Sequence, residues 1–433
     1  MQAWGRMNNK VEDKTMKLAV KHALLPKLRF PEFQNAGEWE VKLLDNYLTE
    51  SRFQGSKGDV AKKITVKLWG KGVFEKNDAL KGSVNTQYYR RKAGQFIYSK
   101  LDFLNQAFGI IPTDLDNYES TVDLPCFDIV DGINPIFLLE YVQRKNFYKK
   151  WGDAADGSRK AKRIHADTFL SFPVFLPCPE EQQKIADCLS SVDELIALEA
   201  QKLDTLKTHK KGLMHELFPA EGETLPKLRF PEFRDAGEWE SQRIEELAKR
   251  GSGHTPDKKK AGYYNGGIKW VSLADSNKLD NGYLHSTKIE ISKEGLKNSS
   301  AALHPAGTVI VSRDAGVGKS AILYSDMAVS QHFMAWVCDK SKFSNWFLYY
   351  SLQKLKPVFE RIAVGNTIKT IGLPYFKQLC ISIPSITEQQ KIADGLSSID
   401  ELITAQAQNL NTLKTHKKGL IQKLFPAIDE VNG

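Results

Sequence analysis

The stretch EQQKIADCLSSVDELIALEAQKLDTLKTHKKGLMHELFPA, at residues 181–220, decides the architecture of this chain. It recurs without a gap as EQQKIADGLSSIDELITAQAQNLNTLKTHKKGLIQKLFPA at 388–427, with 30 of 40 positions identical. A shorter repeat opens each copy, because LPKLRFPEFQNAGEWE (25–40) and LPKLRFPEFRDAGEWE (225–240) share 14 of 16 positions. The segments between these repeats, 41–176 and 241–383, show no comparable identity. One duplicated frame carrying two different bodies is therefore predicted.

Each long repeat predicts one extended helix, in which apolar residues recur at alternating spacings of four and three. This 3.5-residue period is typical of coiled coils. A helix that packs only on its own body is the alternative, but two matching copies favour antiparallel pairing with each other. The pairing residues expected are Ile185, Leu189, Val192, Ile196, Leu203, Leu206, Leu213 and Leu217 in the first copy, and Ile392, Leu396, Ile399, Ile403, Leu410, Leu413, Leu420 and Leu424 in the second.

Polar residues interrupt both apolar series at matching places, Glu199 with Gln406 and Lys210 with Lys417. They either fix the register of the helix pair or face solvent, and the sequence leaves both possibilities open.

Strand-like runs, turn signals and one further helix in each body predict α/β (α+β) domains, two copies in all, on a pseudo-twofold frame. In the second body the runs are 268–273, 288–291, 308–312, 321–324 and 378–383, with a helix at 345–355. The LFPA and LPKLRF sequences that meet at the middle junction, 218–230, also close and open the repeated region, which predicts a near-circular organisation. The expected boundaries are a tail at 1–24, a first body at 25–176, a first helix at 177–218, a linker at 219–240, a second body at 241–383, a second helix at 384–425 and a tail at 426–433.

Several predicted loops of the bodies combine backbone freedom with hydrogen-bond donors. Arg and Lys can pair with guanine, Asn and Gln with adenine, and Thr or Lys with phosphate. The loop 159–163 precedes Phe169 much as 366–369 precedes Phe376, so the two occupy equivalent places. The predicted DNA-contacting residues are Tyr89, Arg90, Arg91, Lys92, Tyr98, Ser99, Lys100, Arg159, Lys160, Lys162 and Arg163 in the first body, and Thr255, Lys269, Trp270, Arg313, Lys319, Gln331, His332, Asn366, Thr367 and Lys369 in the second.

The bulk composition is that of an ordinary folded protein. The chain has 433 residues, 41% hydrophobic and 26% charged, with a net charge of +9 that suits a polyanionic partner. No apolar run is long enough to span a membrane. The five cysteines lack a C-x-x-C spacing, which predicts free thiols in a cytoplasmic protein and no bound metal.

Two stretches resemble catalytic motifs and depart from them. Residues 314–320, DAGVGKS, approach a phosphate-binding loop, but Arg313 stands where that loop needs glycine, so a strand-end turn is predicted. Residues 134–137, NPIF, approach an amino-methyltransferase motif that requires proline at Ile136. We therefore predict a chain without catalytic residues or a bound cofactor. A DNA methyltransferase or nuclease with divergent motifs, or a coiled-coil scaffold unrelated to DNA, are the alternatives.

The alternation of variable bodies with E-Q-Q-K-I-A-D…D-E-L-I…K-K-G-L…L-F-P helices resembles the specificity subunit of Type I restriction–modification enzymes. The second body also resembles that family's target recognition domain, at 266–271, 303–308 and 365–368. The resemblance covers roughly 25–427, and the first body matches the pattern less well.

The resemblance implies a protein of the bacterial or archaeal cytoplasm that binds double-stranded DNA. Each body would read one half of a bipartite site, which is asymmetric because the bodies differ, and the helices would set the unread gap. The implied partners are two modification subunits carrying S-adenosylmethionine, restriction subunits using ATP and Mg²⁺, and phage inhibitors that mimic DNA.

Overall fold

The computed structural model describes residues 25–76, 82–152, 163–365 and 369–426. It consists of two compact units, the first combining the chain up to Leu198 with the chain from Leu410 onward, the second comprising Glu199–Asn409. Each unit therefore contains one body, one half of the first long helix and one half of the second. The helices are α1 (Pro135–Val142), α2 (Lys145–Gly152), α3 (Ala166–Leu170), α4 (Pro179–Leu217), α5 (Ile244–Leu247), α6 (Lys293–Lys297), α7 (Asn345–Ile362), α8 (Leu373–Lys377) and α9 (Ile386–Leu424). The long helices α4 and α9 each begin two residues before the repeated sequence.

Each body is built on a mixed set of short sheets. The strands of the first unit are β1 (Glu40–Leu43), β2 (Leu48–Glu50), β3 (Gln54–Lys57), β4 (Ile64–Lys67), β5 (Gly72–Glu75), β6 (Gln87–Arg90), β7 (Phe96–Tyr98), β8 (Phe108–Ile110), β9 (Glu119–Ser120), β10 (Cys126–Ile129) and β11 (Pro173–Leu176). Those of the second are β12 (Glu240–Arg243), β13 (Ala248–Ser252), β14 (Tyr264–Val271), β15 (Tyr283–Leu284), β16 (Ile289–Ile291), β17 (Leu303–His304), β18 (Val309–Ser312), β19 (Ser320–Leu323), β20 (Met327–Val329), β21 (Phe333–Cys338) and β22 (Cys380–Ile383).

Each body has its own antiparallel core sheet, and the two sheets have the same strand order although the sequences differ. In the first unit the strand order is β2-β10-β7-β8, and in the second β13-β21-β18-β19, with β15 added at the edge. In both units the strand that precedes the main helix of the body, β10 before α1 and β21 before α7, lies inside the sheet. A two-stranded sheet, β1-β11 or β12-β22, leads into the long helix. The predicted α/β architecture in two copies is thus confirmed.

Apolar residues from both ends of the long helices close the core of each unit. In the first unit Ile185 and Leu189 of α4 and Leu424 of α9 are buried with the aromatic residues of the body. In the second unit Leu217 of α4 and Ile392 and Leu396 of α9 do the same. Burying each of these side chains stabilises its unit by about 1.5–3 kcal/mol, so neither body is complete without both helices.

The polar residues that interrupt the apolar series of the long helices are all paired with other polar side chains. In the second unit the Gln406 amide donates to the Glu199 backbone oxygen at 2.9 Å and to its carboxylate, and Lys210 Nζ lies 2.6 Å from Asp400 Oδ1. The partner number falls as the residue number rises, so the segments run antiparallel. In the first unit Lys417 Nζ lies 2.7 Å from Asp193 Oδ2 and from Glu140 Oε1. The structure thus favours the first of the two possibilities, in which these residues fix the register of the helix pair.

The first residues of the repeated E-Q-Q motif hold each entry segment and each core helix. Glu181 receives two hydrogen bonds from the Arg29 guanidinium at 2.8 and 2.6 Å, and Glu388 receives the same pair from Arg229. Gln182 accepts from the backbone N–H of Asn134 just before α1, as Gln389 accepts from Ser344 before α7. The repeated sequences therefore make the same structural contacts in both units.

Most strands predicted for the second body are confirmed within a few residues, and α7 differs most. It continues past the predicted end at residue 355 to Ile362, with Pro357 inside the helix. Buried Leu352 and Phe359 on either side of the proline pack it against the sheet, and that burial outweighs the lost backbone hydrogen bond. Among the described residues, no helix is long and apolar enough to cross a membrane.

Candidate nucleic-acid interface

Loops from four core strands of the second unit meet at one end of the sheet, which we call the loop end. The turn 313–319 joins β18 to β19, residues 331–332 precede β21, and residue 255 follows β13. The Arg313 N–H donates to the His332 oxygen at 2.9 Å, and the Ile371 N–H donates to the Arg313 oxygen at 3.0 Å. The segment ahead of α8 is thereby tied to the same turn, although it lies far away in sequence.

Side chains reinforce this arrangement. His332 Nδ1 lies 2.7 Å from Asp314 Oδ2, and Thr255 Oγ1 donates to Gln331 Oε1 at 2.7 Å. Lys319 Nζ donates to the Ser276 oxygen at 3.0 Å, which holds the turn against the loop after β14. The turn needs positive φ at Gly316 (105°) and Gly318 (83°), a conformation that glycine adopts readily. The strand-end turn predicted at 314–320 agrees with this geometry.

The loop end of the second unit carries several basic side chains around an open cavity. Lys319, Lys356 and Lys369 line a cavity of about 490 Å³, with Glu360 on one side. Gln331 and Lys369 are exposed. Six predicted residues thus meet here: Thr255, Arg313, Lys319, Gln331, His332 and Lys369. The predicted Asn366 and Thr367 lie outside the described residues.

Two predicted residues of the second unit do not belong to this surface. The Trp270 ring is buried beneath residue 254, and its Nε1–H donates to the His254 oxygen at 3.2 Å. Lys269 Nζ donates to the His285 oxygen at 2.8 Å and to Ser325 Oγ. Ser325 follows β19, at the end of the strand opposite to the 313–319 turn. Both predictions need correction, because the Trp270 ring is buried and the Lys269 ammonium is held at the far end of the sheet.

The loop end of the first unit is formed by the equivalent segments. Residues 51–53 follow β2, the loop 99–107 joins β7 to β8, and residues 121–125 precede β10. The Ile164 N–H donates to the Lys100 oxygen at 3.1 Å, as Ile371 does to Arg313 in the second unit. Lys100 and Arg313 therefore occupy matching places.

Tyr89 and Arg90 also reach the loop end of the first unit. Tyr89 pairs with Gln54 in β3, and the Arg90 guanidinium lies 5.5 Å from the exposed Phe53 ring. Arg163 is exposed at the foot of the same surface. The predicted Arg159, Lys160 and Lys162 lie outside the described residues.

Four other predictions for the first unit need correction. Arg91 is 2% exposed, and its guanidinium donates to the Ser51 oxygen at 2.7 Å and to the Leu124 oxygen at 3.2 Å, so it braces the loops from beneath. Burial lowers the pKa of Arg91. Tyr98 is buried with its hydroxyl on the Ile164 oxygen, and Ser99 is buried beside Asp102. Lys92 lines a separate cavity of about 550 Å³ near Pro179 and Gln182 of the frame.

Exposed aromatic residues lie among the lysines of the first unit, and none of them is among the predicted DNA-contacting residues. Phe53, Trp69 and Phe74 are 59%, 59% and 42% exposed. The sequence does contain a hairpin signal here, an alternating apolar run at 64–67, a Trp-Gly turn and a second run at 72–75.

This chain is similar to known proteins in sequence and in fold. The family model described as the Type I restriction modification DNA specificity domain matches residues 135–208 and 236–415. The MjaIX Type I restriction enzyme specificity subunit of Methanocaldococcus jannaschii is 30% identical over 169 residues, covering 38% of this chain and 39% of that one. The EcoR124I/EcoR124II specificity subunit of Escherichia coli is 26% identical over 267 residues, covering 59% and 62%. The chain thus aligns with less than two thirds of these relatives' lengths.

A solved structure shows the same fold. The S subunit of the Type-I restriction-modification system from M. genitalium superposes with a TM-score of 0.56 at 14% identity, covering 93% of this chain and 99% of that one.

Proposed function

Because this chain belongs to the family of Type I restriction–modification DNA specificity proteins, we propose that it is the non-catalytic DNA-reading subunit of such a complex. Each loop end reads one half of a bipartite DNA site, and the paired helices hold the halves at a set spacing. The observation that carries this proposal is the equivalence of the two loop ends. The two loop ends have the same backbone contact, from Ile164 to Lys100 in the first unit and from Ile371 to Arg313 in the second. The side chains that they carry are different.

The chemistry of the loop ends suits DNA. Exposed cations such as Arg90 and Lys369 can neutralise phosphates, while Gln331 carries the amide that pairs with adenine. Since the two sets of side chains differ, the site is asymmetric. Two modification subunits that dock on the frame supply S-adenosylmethionine and methylate adenine, and restriction subunits supply ATP-driven cleavage. The complex acts in the cytoplasm of a bacterium or archaeon, where phage proteins that mimic DNA compete for the same loops.

The first experiment identifies the site. Mapping N6-methyladenine across the host genome with and without this gene should reveal one bipartite motif that disappears with the gene. The duplex carrying that motif, which we call the cognate duplex, then serves as the probe for the purified complex with modification subunits. We expect binding that weakens steeply with salt and falls to a weak but measurable non-specific level when either half-site is scrambled. Equal binding to all duplexes, or methylation by this chain without partners, would refute the proposal.

A further inference from the structure

A β-hairpin of the first unit carries an exposed tryptophan at its tip. Strands β4 and β5 pair from Ile64 with Glu75 to Lys67 with Gly72, and residues 68–71 form the turn. The side chains of Ile64, Val66 and Val73 are buried in a small core shared with β7 and β10. The hairpin is thus anchored on one face, and its tip projects from an ordered base.

Trp69 has a backbone conformation that bulky residues rarely adopt. Its φ is 62°, in the left-handed region, and Gly70 follows with φ 66°. The turn is held in place because the N–H groups of Trp69 and Gly70 donate to the backbone oxygens of Asn105 and Gln106 at 2.8 and 3.0 Å. Glycine would satisfy this turn without strain, and the indole is 59% exposed. Neither the turn nor the core therefore requires tryptophan here.

The tip lies at the loop end of the first unit. Asn105 and Gln106 belong to the loop 99–107, which is the counterpart of the 313–319 turn in the second unit. Lys67 and Lys71 flank the tryptophan and are exposed, and Lys67 Nζ sits 3.9 Å from the Phe74 ring centre. A rigid aromatic ring between two cations matches a groove lined by phosphates, and a two-stranded ribbon fits the major groove of B-DNA.

We propose that Trp69 is a specificity-determining residue, whose indole makes apolar contact with base edges of the first half-site while Lys67 and Lys71 hold the neighbouring phosphates. This inference rests on the proposed function and adds a hairpin to the reading surface of the first unit. Backbone strain at an exposed position is a feature that accumulates at functional sites, and here it aims the ring outward.

Substitutions that suit the turn but lack the ring test this role in the full chain, assembled with modification subunits. Trp69→Gly and Trp69→Asn both tolerate the left-handed backbone, so we expect thermal midpoints equal to or above that of the wild type. We expect both to bind the cognate duplex about tenfold more weakly, which is the scale of losing recognition of one base pair in a duplex site. Trp69→Phe keeps a ring and should recover most of the affinity.

The matched control is Asn117→Gly, which places glycine at another exposed position with a positive φ (64°) in the same unit, outside the hairpin and its tip. It should bind DNA as the wild type does. With a duplex whose first half-site is scrambled, wild type and Trp69→Gly should bind equally, because the contact is already lost.

Three results would overturn the inference about Trp69. They are full affinity of Trp69→Gly and Trp69→Asn, an equal loss on the scrambled duplex, or no recovery with Trp69→Phe. A wild-type complex that does not discriminate between the two duplexes would instead refute the proposed function itself.

Discussion

At the scale of single residues, adjacent basic side chains in this chain have opposite roles. In the run Tyr88–Lys92, Arg90 is exposed beside Phe53, whereas Arg91 is buried and hydrogen-bonded to three backbone oxygens from two loops. A buried guanidinium is tolerated only when its donors are satisfied. The loop end of the first unit therefore depends on a cation that never meets the ligand.

Replacing Arg91 by alanine should destabilise the first unit by about 3 kcal/mol, because several buried backbone oxygens lose a charged donor. Arg90→Ala is the neighbouring control and should change the free energy of unfolding by less than about 0.5 kcal/mol while weakening DNA binding. Urea unfolding and binding to the cognate duplex measure the two effects. Equal stability losses in the two variants would contradict this division of roles.

Glu140 offers a prediction about pH. Burial raises the pKa of Glu140, and Lys417 offsets only part of that effect. Protonation of Glu140 is thus more favourable in the folded protein than in the unfolded chain, and the resulting contribution to stability is present below the ordinary pKa of the carboxyl and is lost as pH rises through the raised pKa. Glu140→Gln mimics the protonated state. The stability of the wild type relative to this variant should therefore fall between about pH 4 and about pH 7.

The free energy of unfolding at both pH values measures this difference, with the exposed Glu194→Gln as a control for general charge effects. A difference that stays constant, or that grows with pH, would show that Lys417 fully compensates the burial of Glu140.

At the scale of elements, the central polar pair of the long helices is its own counterpart under the 207-residue repeat. Glu199 matches Gln406 in the sequence alignment, and the two also contact each other. The other polar contacts come in equivalent pairs, Lys210 with Asp400 and Lys417 with Asp193. If a helix paired with a copy of itself, the central position would set Glu199 against Glu199 or Gln406 against Gln406, whereas the Lys–Asp contacts would be kept. The Glu–Gln difference therefore favours pairing of the first helix with the second.

Gln406→Glu should destabilise the chain by about 1–3 kcal/mol at neutral pH, because it sets two carboxylates against each other and removes a donor. The double variant Glu199→Gln, Gln406→Glu should restore stability, since the exchanged amide meets the equivalent carbonyl across the pair. Chemical denaturation of the single and double variants gives the coupling energy. Additive losses would mean that the contact does not govern helix pairing.

The helices also predict how the unread gap of the DNA site is set. One heptad inserted into each helix at the Glu199–Gln406 pair preserves the apolar period and adds about 10 Å of helix. The methylated motif should then gain about three base pairs in its gap, at 3.4 Å per pair, with both half-sites unchanged. Methylome sequencing reads this directly, and a change of half-site sequence would contradict the spacer role.

At the scale of the whole molecule, one duplicated frame presents two different sets of loops. The cores β2-β10-β7-β8 and β13-β21-β18-β19 have the same strand order, whereas the residues at their loop ends differ. The matching positions of Lys100 and Arg313 make a direct test possible.

Lys100→Ala should relax discrimination in the first half-site only, and Arg313→Ala in the second half-site only. A lost side-chain contact to DNA is expected to cost about 1–3 kcal/mol, which is roughly tenfold or more in affinity. Binding to duplexes with one base pair changed at a time would locate each effect. Loss at both half-sites from one substitution would mean that the bodies do not read DNA independently.

The sequence alone determined the duplication, the two long helices and five of the eleven strands described in the second unit, namely β14, β16, β18, β19 and β22. These features follow from local patterns, since a 3.5-residue apolar period or an apolar run between turns already implies the element that buries it. The family resemblance was equally accessible, because the identical residues lie in continuous segments.

Only the tertiary structure decided which basic and aromatic residues form the candidate interface. Strand pairing over long separations gathers the segments near Arg313, His332 and Ile371, and the same pairing buries Arg91, Tyr98 and Trp270. The Trp69 hairpin joins this surface through backbone bonds to a loop more than thirty residues away. Composition reveals that a segment is basic or aromatic, but the side of the sheet that its side chains face depends on register, which distant strands set.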